Sequence, residues 1–284
     1  MRRSLSILIL GLLLQTAPVA FAQSAPMLLV PADSRGLSMG GVSLQQDAAR
    51  MGVNFLYAGW APRNVDNTLV GGDVFYRASD RVRLSFEGRA LLDHPYDVTS
   101  PKGQVTGSFR PVDWTVAAGA TVGFADAFAV GVKARLFSSA IAENARSTAF
   151  CGDIFFSYRG DIVSASVGVR NLGTKINYGG TDYPLPALAA LQGSVRPFEG
   201  FTVAAEADYL FNGALMAGLG VEYTIAEIVS LRGGFHYGDN AKAIPTYASL
   251  GLGVQFAGFH LDAAFLLASK TLGNTLMVGL GYAF

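Results

Sequence analysis

The feature that most constrains this chain is an alternation of large apolar residues with small or polar ones, which recurs in run after run. In residues 274 to 284 every second residue is large and apolar, from Leu276 to Phe284, and the residues between them are mostly small. Successive side chains of a β-strand point to opposite faces, so each such run predicts a strand with one apolar face. No helical pattern remains that could cover these faces in a soluble protein, and the apolar faces are therefore expected to meet lipid.

Fourteen runs of this kind are predicted as strands, at residues 49–59, 68–79, 81–93, 112–124, 127–138, 147–159, 161–171, 186–196, 200–211, 214–224, 227–238, 245–256, 258–268 and 274–284. The connections alternate between tight turns, such as Ser79-Asp80, and longer loops, of which His94 to Pro111 and Leu172 to Leu185 are the longest. Bacterial outer-membrane barrels have an even number of strands, short periplasmic turns and long outer loops. The sequence thus predicts an all-β fold, a transmembrane antiparallel β-barrel of about 14 strands with both termini periplasmic.

Composition excludes several other classes of protein. With 51% hydrophobic and 15% charged residues the chain is too apolar for a disordered protein. Beyond the N-terminus it lacks the run of about 18 apolar residues that a spanning helix needs. Its 21 basic and 21 acidic residues are too balanced to indicate a nucleic acid as partner, so outer-membrane lipid is the expected surrounding.

The N-terminus is typical of a secretory signal peptide. Arg2 and Arg3 precede an apolar stretch from Leu5 to Leu14, and Ala20-Phe21-Ala22 is a cleavage site of the A-x-A type. We therefore divide the chain into a signal peptide (1–22), a lead-in or plug segment (23–48) and the barrel (49–284).

Charged residues occur on the polar faces of many predicted strands. Mixed signs in a confined lumen predict a paired network, because an unpaired buried charge is strongly unfavourable; a polar permeation path is the alternative. The predicted network comprises Arg83, Glu87, Arg89, Lys133, Arg135, Asp153, Glu206, Asp208, Glu222, Arg232 and Asp262, and Asp73 and Arg77 share its face.

The residues give little indication of catalysis. His94, His236 and His260 are predicted in a loop and at opposite ends of strands, whereas a shared metal needs all its ligands within about 2 Å of one ion. Asp93-His94 is the one adjacent acid and histidine, and no motif marks a partner serine. We expect no enzyme activity, metal or cofactor; a lipid-modifying enzyme that uses His94 is the weakest hypothesis.

Several short motifs resemble those of a known family. They are the run from Asp33 to Val42 followed by Asp47-Ala48, the run from Val169 to Gly173, and Tyr183-Pro184-Leu185-Pro186. A flexible glycine-rich lead-in would explain the first; together they resemble the PorV/PorQ family, relatives of the FadL-type fatty-acid transporters in Bacteroidetes outer membranes. The chain departs from these relatives at residues 53–57, where an Asn-Pro-Ala step is common.

The resemblance implies a fourteen-stranded barrel whose N-terminal segment folds inward as a partial plug, with the plug motif at Arg35, Gly36, Met39, Gly40 and Gly41. It implies a non-enzymatic role in protein secretion or surface attachment, as an accessory or cargo-docking subunit of the type IX secretion system. The partners would then be secretion-system proteins or secreted cargo.

The alternative function is a FadL-like transporter of hydrophobic solutes. A hydrophobic ligand would then touch apolar residues of the plug, namely Met27, Leu28, Leu29, Leu37 and Met39. An apolar pocket that leads to a gap in the wall would favour this function, and a lumen filled with ion pairs would exclude it.

Overall fold

The structure, a computed structural model, describes residues 24–43, 49–60, 67–239, 242–267 and 273–284. The predicted signal peptide, residues 1 to 22, and the Asp47-Ala48 step lie outside these ranges. None of the described helices is long and apolar enough to cross a membrane. The longer elements of the described chain are all β-strands.

Fourteen strands form one closed antiparallel barrel. They are β1 (Met51–Gly59), β2 (Thr68–Arg77), β3 (Val82–Leu92), β6 (Val112–Ala125), β7 (Phe128–Ala142), β8 (Ala145–Arg159), β9 (Val163–Gly173), β12 (Leu188–Phe198), β13 (Phe201–Leu210), β14 (Leu215–Ile225), β15 (Val229–Gly238), β16 (Tyr247–Phe256), β17 (Phe259–Leu267) and β18 (Thr275–Ala283). Pairing of β1 with β18, from Gly52 opposite Ala283 to Gly59 opposite Leu276, closes the barrel. The predicted fold and number of strands are confirmed, and each barrel strand overlaps one predicted run.

Two of the long connections contain short hairpins that the alternation did not predict. One pairs β4 (Tyr96–Thr99) with β5 (Val105–Phe109), and the other pairs β10 (Lys175–Asn177) with β11 (Asp182–Pro184). Both lie at the same end of the barrel, which we call the long-loop end; the opposite end is the short-turn end. The second hairpin folds over the barrel, because Ile176 is fully buried beside Phe137 and Ala149. The first is exposed at Tyr96 and Val105.

The outside of the barrel is a broad apolar surface. Large side chains at alternate positions are exposed, including Phe55, Phe86, Phe150, Leu191, Leu219, Leu250, Phe259 and Leu280. Near the short-turn end, the rings of Phe128 and Tyr158 lie 5.2 Å apart, within a larger aromatic cluster. A continuous apolar surface of this size is unsuited to water and suited to lipid, and aromatic residues are typical of the membrane interface.

The apolar core lies inside the long-loop half of the barrel. Val30 and Leu37 of the N-terminal segment belong to this cluster. The barrel contributes Ala58, Trp60, Leu69, Leu188, Leu210, Met216, Tyr247, Leu266 and Met277, among others. Complete burial of one such side chain contributes about 1.5–3 kcal/mol, so this cluster is a main source of stability for the lumen-side contacts.

Residues 24–43 lie against the inward faces of the barrel strands. They form a 3₁₀ turn at Pro26–Leu29 and a short α-helix at Ser34–Ser38, which packs on β15 to β18. The carboxylate of Asp33 caps this helix by accepting a hydrogen bond from the backbone N–H of Gly36 at 2.6 Å. The helix therefore begins at Ser34, directly after its capping residue.

Five glycines of the barrel wall allow the segment to approach closely. Gly220 lies beneath Met39, Gly218 and Gly234 beneath Gly40, Gly251 beneath Ser38, and Gly279 beneath Ser34. A Cβ atom at any of these glycines would collide with the segment. The inward glycines of these strands thus form a flat floor, which we call the glycine floor.

Candidate functional site

Three groups of ion pairs lie in the lumen, and the second of them is level with the apolar core, because Arg170 is opposite Leu188 and Asp208 opposite Met216. In the first group Glu87 accepts hydrogen bonds from Lys133 at 2.7 Å and from Arg135 at 2.9 Å. Arg135 also contacts Asp153 at 3.3 Å and donates to the side-chain oxygen of Asn171 at 2.8 Å. This group connects four strands, β3, β7, β8 and β9.

The second group is centred on Glu206. Its carboxylate pairs with Arg170 and accepts a hydrogen bond from the backbone N–H of Ser43 at 2.7 Å. The side chain of Asp208 lies 3.9 Å from the same Arg170 guanidinium. One end of the N-terminal segment is therefore held by an acidic residue of β13.

The third group joins the helix of the segment to the wall. Arg35 donates two hydrogen bonds to Glu222, at 2.8 Å and 2.6 Å, which is the bidentate geometry favoured by arginine and carboxylate. Arg232 donates to the same carboxylate at 2.6 Å and also pairs with Asp262. Removing Glu222 would leave two buried guanidinium groups with one fewer carboxylate.

The predicted network residues do not all join these groups. Arg89 instead donates to the backbone oxygen of Val30 at 3.0 Å. This is a third contact between the wall and the N-terminal segment, besides those of Glu206 and Glu222. The Arg83 guanidinium lies over the ring of Phe75, 4.0 Å from its centroid. Asp73 accepts a hydrogen bond from Asn54 at 2.8 Å.

The plug-motif residues have distinct environments. Met39 is fully buried beside Val42, while Gly40 and Gly41 have φ angles of +74° and +86°, which favour glycine. The carbonyl oxygen of Gly40 lies 3.1 Å from Nδ1 of His236. The backbone N–H of Gly41 donates to the carbonyl of Gly36 at 2.9 Å. These contacts fold the segment back after its helix.

Two charged groups of the segment have shifted pKa values. Burial raises the pKa of the Asp33 carboxyl, and the hydrogen bond from Gly36 offsets only part of this effect. Burial acts to lower the pKa of Arg35, but the hydrogen bonds and the negative charge of Glu222 outweigh it, so the pKa is raised. Arg35 therefore remains a cation at the centre of the third group.

A cavity of about 890 Å³, the inner chamber, occupies the short-turn half of the lumen. Its wall carries both charges and two inward aromatic rings. The lining includes Asp33, Arg35, Phe75, Arg77, Arg83, Glu87, Lys133, Phe155, Arg159 and Asp262. The ion pairs therefore do not fill the barrel, and this chamber is suited to water or a polar solute.

A gap in the wall separates β9 from β12 near the long-loop end. The ladder between these strands ends at Arg170 opposite Leu188. Beyond this pair, β9 remains paired with β8 on its other edge, up to Gly173 opposite Cys151. The chain before β12 contains Pro184 and Pro186, which have no backbone N–H and cannot extend the ladder.

This gap holds a cavity of about 230 Å³, which we call the wall crevice. Its lining combines membrane-facing and lumen-facing residues, namely Ser24, Asn171, Leu172, Gly173, Pro184, Leu185, Pro186, Ala187, Phe211 and Asn212. Leu172 and Phe211 are exposed on the outside, whereas Asn171 and Leu185 are buried. The crevice thus connects the apolar outer surface to the buried start of the N-terminal segment.

The three histidines lie in three different environments. His236 is buried and stacks on Tyr247 at 4.7 Å, His94 contacts the ring of exposed Tyr96, and His260 lines the inner chamber. Within the described ranges, no group of three or more His, Cys, Asp or Glu residues could hold a metal ion.

Sequence reasoning missed two residues of these sites. Arg170, which pairs with Glu206, was recognised only as part of a family motif. Asn171, buried at the crevice, has a φ of +56°, and one extra residue of β9 bulges beside it. The available signal was the Asn-Leu-Gly step at the end of the predicted strand, since asparagine tolerates positive φ better than most residues.

No protein-family model and no curated protein matches the chain. Solved structures do match it. The toluene transporter TbuX of Ralstonia pickettii is 13% identical, with a TM-score of 0.66 over 91% of this chain and 100% of TbuX. The P. putida toluene transporter TodX is 11% identical, with a TM-score of 0.63 over 90% of this chain and 99% of TodX.

The monoaromatic hydrocarbon channel CymD is 11% identical, with a TM-score of 0.60 over 95% of this chain and 99% of CymD. At such identities the likeness concerns the fold. The barrel resembles in its fold the barrels of these transporters and of this channel. The PorV/PorQ assignment and its relation to FadL-type transporters stay predictions from sequence.

Proposed function

We propose that this chain is an outer-membrane channel for small hydrophobic solutes, with the wall crevice on their route. The crevice carries the proposal, because it is an interruption of the barrel wall that joins the apolar outer surface to the lumen. An apolar solute can cross there without passing the charged groups of the inner chamber. This function was the alternative in the sequence analysis.

The size of the wall crevice supports a small solute. An apolar cavity of about 150 Å³ binds benzene in another protein. At about 230 Å³ the crevice has room for one substituted ring. The structural neighbours are named for toluene and for monoaromatic hydrocarbons, and we take toluene as the first solute to test.

The N-terminal segment acts as the plug in this proposal. Ala25 and Leu28 pack with Leu185 of the crevice lining, and Ser24 donates a hydrogen bond to the carbonyl of Pro184. Further along, Arg35 is bound by Glu222 and Ser43 by Glu206. The segment thus covers the lumen side of the crevice, and transport requires it to give way there.

The test is uptake of radiolabelled toluene by a Gram-negative host that lacks its own FadL-type transporter. Ala187→Trp would fill the crevice, whereas Ala189→Trp changes a residue two positions further along the chain, in β12, that does not line it. We expect uptake with the wild-type chain and with Ala189→Trp, and uptake near that of the empty host with Ala187→Trp. Equal uptake with and without the wild-type chain would contradict the proposal.

The secretion role rests on the sequence motifs alone. Recovery of secretion-system components or secreted cargo in a mild-detergent pull-down, from cells in which toluene uptake is unaffected by the chain, would favour that role. Recovery of the barrel alone, together with toluene uptake, would favour the channel.

A further inference from the structure

At the wall crevice β9 loses its ladder with β12 on one edge while it stays paired with β8 on the other, and Asn171 lies at this point. On β8, Gly152 and Ile154 pair with Leu172 and Val169, so Asp153 alone faces two residues of β9. This β-bulge includes Asn171, whose φ of +56° is unusual for a residue with a side chain. The ladder between β9 and β12 ends at Arg170, directly before this bulge.

Every polar group of the Asn171 side chain is used at this point. Its oxygen accepts a hydrogen bond from Arg135 at 2.8 Å, and its amide nitrogen donates to the carbonyl of Pro186 at 3.3 Å. Its backbone N–H donates to Asp153 at 2.8 Å. Only 1% of the residue is exposed. Asn171 therefore touches both sides of the crevice and one ion-pair group.

The contact with Pro186 replaces the missing ladder. Pro186 offers a carbonyl and no N–H, so the strand edge there can accept a hydrogen bond but not donate one. The Asn171 amide satisfies this carbonyl, so a side-chain hydrogen bond takes the place of a backbone one between the two chain segments. Arg135, fixed in turn by Glu87 and Asp153, keeps the amide in its orientation.

We propose that Asn171 is a positioning residue that fixes the width of the wall crevice, and that the first ion-pair group acts on the wall through it. The inference rests on the proposed function, because a fixed width would set which solutes pass. The ion pairs of this group would then serve the wall as well as the lumen.

The test measures the crevice directly and transport separately. Spin labels at Leu172→Cys and Phe211→Cys, both exposed, flank the crevice, in a chain that also carries Cys151→Ala. A control pair at Val167→Cys and Ala207→Cys spans the same strands where the ladder is intact, since Leu191 pairs with both residues. Dipolar spectroscopy then gives the distribution of distances for each pair.

Asn171→Gly keeps the backbone conformation and removes the amide. We expect the distribution across the crevice to shift or broaden and the control distribution to stay as in the wild type. The ratio of naphthalene to toluene uptake should change by about fivefold, as expected when a lost hydrogen bond shifts a conformational equilibrium. If Asn171→Gly does not fold, Asn171→Asp also tolerates positive φ and lacks the donor to Pro186.

An unchanged distribution across the crevice in these variants would overturn the role of Asn171, whatever the uptake. A changed distribution with an unchanged uptake ratio would uphold that role and contradict the crevice as the solute route. The two proposals therefore fail in different measurements.

Discussion

The two halves of the lumen differ more than the two halves of the wall. Outside, apolar residues alternate along the whole length of the strands. Inside, the long-loop half is packed mainly with apolar side chains and holds Arg170 and Asp208 at its edge, whereas the short-turn half is charged and encloses about 890 Å³. Lipid requires only that every second residue be apolar, and it leaves the inward positions free to vary. The interior of such a barrel can therefore be divided without changing its wall.

The division places stability and permeability in different regions. Close-packed apolar side chains exclude solutes and water, and any void among them is unfavourable. A chamber lined by charges keeps its water and adds little hydrophobic stabilisation. The N-terminal segment spans both regions, with Leu37 in the apolar core and Asp33 at the chamber.

The strongest test of this comparison puts the same charge into each half. Leu37 is fully buried, and Leu37→Asp should lower the free energy of unfolding by several kcal/mol, at least about 3, because an unpaired carboxylate would enter the apolar core. Thr121→Asp lines the chamber opposite Arg83 and should cost less than about 1 kcal/mol. Urea unfolding in phospholipid vesicles measures both. Equal losses would mean that the halves do not differ as described.

A second test concerns the glycine floor between the halves. In Gly234→Ala the new methyl group would collide with Gly40, and overpacking of this kind costs about 1–3 kcal/mol. We expect the segment to be displaced, so that a protease trims residues 24–43 faster than in the wild type. Gly233→Ala is the matched control, since its nearest neighbour would be 3.9 Å away. Similar trimming of both variants would argue against close packing on the floor.

The smallest expected effect is on the pH dependence of the free energy of unfolding, through Asp33 at the inner chamber. Because burial raises the pKa of Asp33 above its usual 3.8, the folded state binds this proton more tightly than the unfolded state. Its contribution to stability is therefore complete below pH 3.8 and is lost as the pH rises through the raised pKa. Asn at this position keeps a cap acceptor without titrating. The free energy of unfolding should thus fall less with rising pH in Asp33→Asn than in the wild type; identical slopes would contradict this.

The barrel could be predicted from the sequence because its physical cause is local. Each strand has to alternate for lipid on one side, and the alternation is visible without knowing any partner strand. Strands β4 and β10 escape this reasoning, since Tyr96–Thr99 and Lys175–Asn177 are too short to show an alternation. Hairpins of this kind depend on turn geometry more than on pattern.

The sites could be predicted only in part. Charges such as Glu87 and Glu222 occur on the polar faces of predicted strands, but their partners depend on the closed barrel. Arg35 and Glu222 are 187 residues apart in the chain, and no spacing rule connects them. The bulge at Asn171 depends on the register between β8 and β9, which alternation does not define once a strand contains an extra residue.

The exposed hairpin of β4 and β5 has a practical consequence. Its strands pair with each other. Two side chains connect it to Asp93 at the rim: Arg110 donates to the backbone oxygen of Asp93, and the Tyr96 hydroxyl donates to its carboxylate. The tip around Lys102 and Gly103 is exposed. Exposed loop tips of this type accept foreign sequence readily. An epitope inserted there would be presented on one defined face of the membrane, which makes this hairpin a natural site for displaying peptides and for reporting the topology of the protein in intact cells.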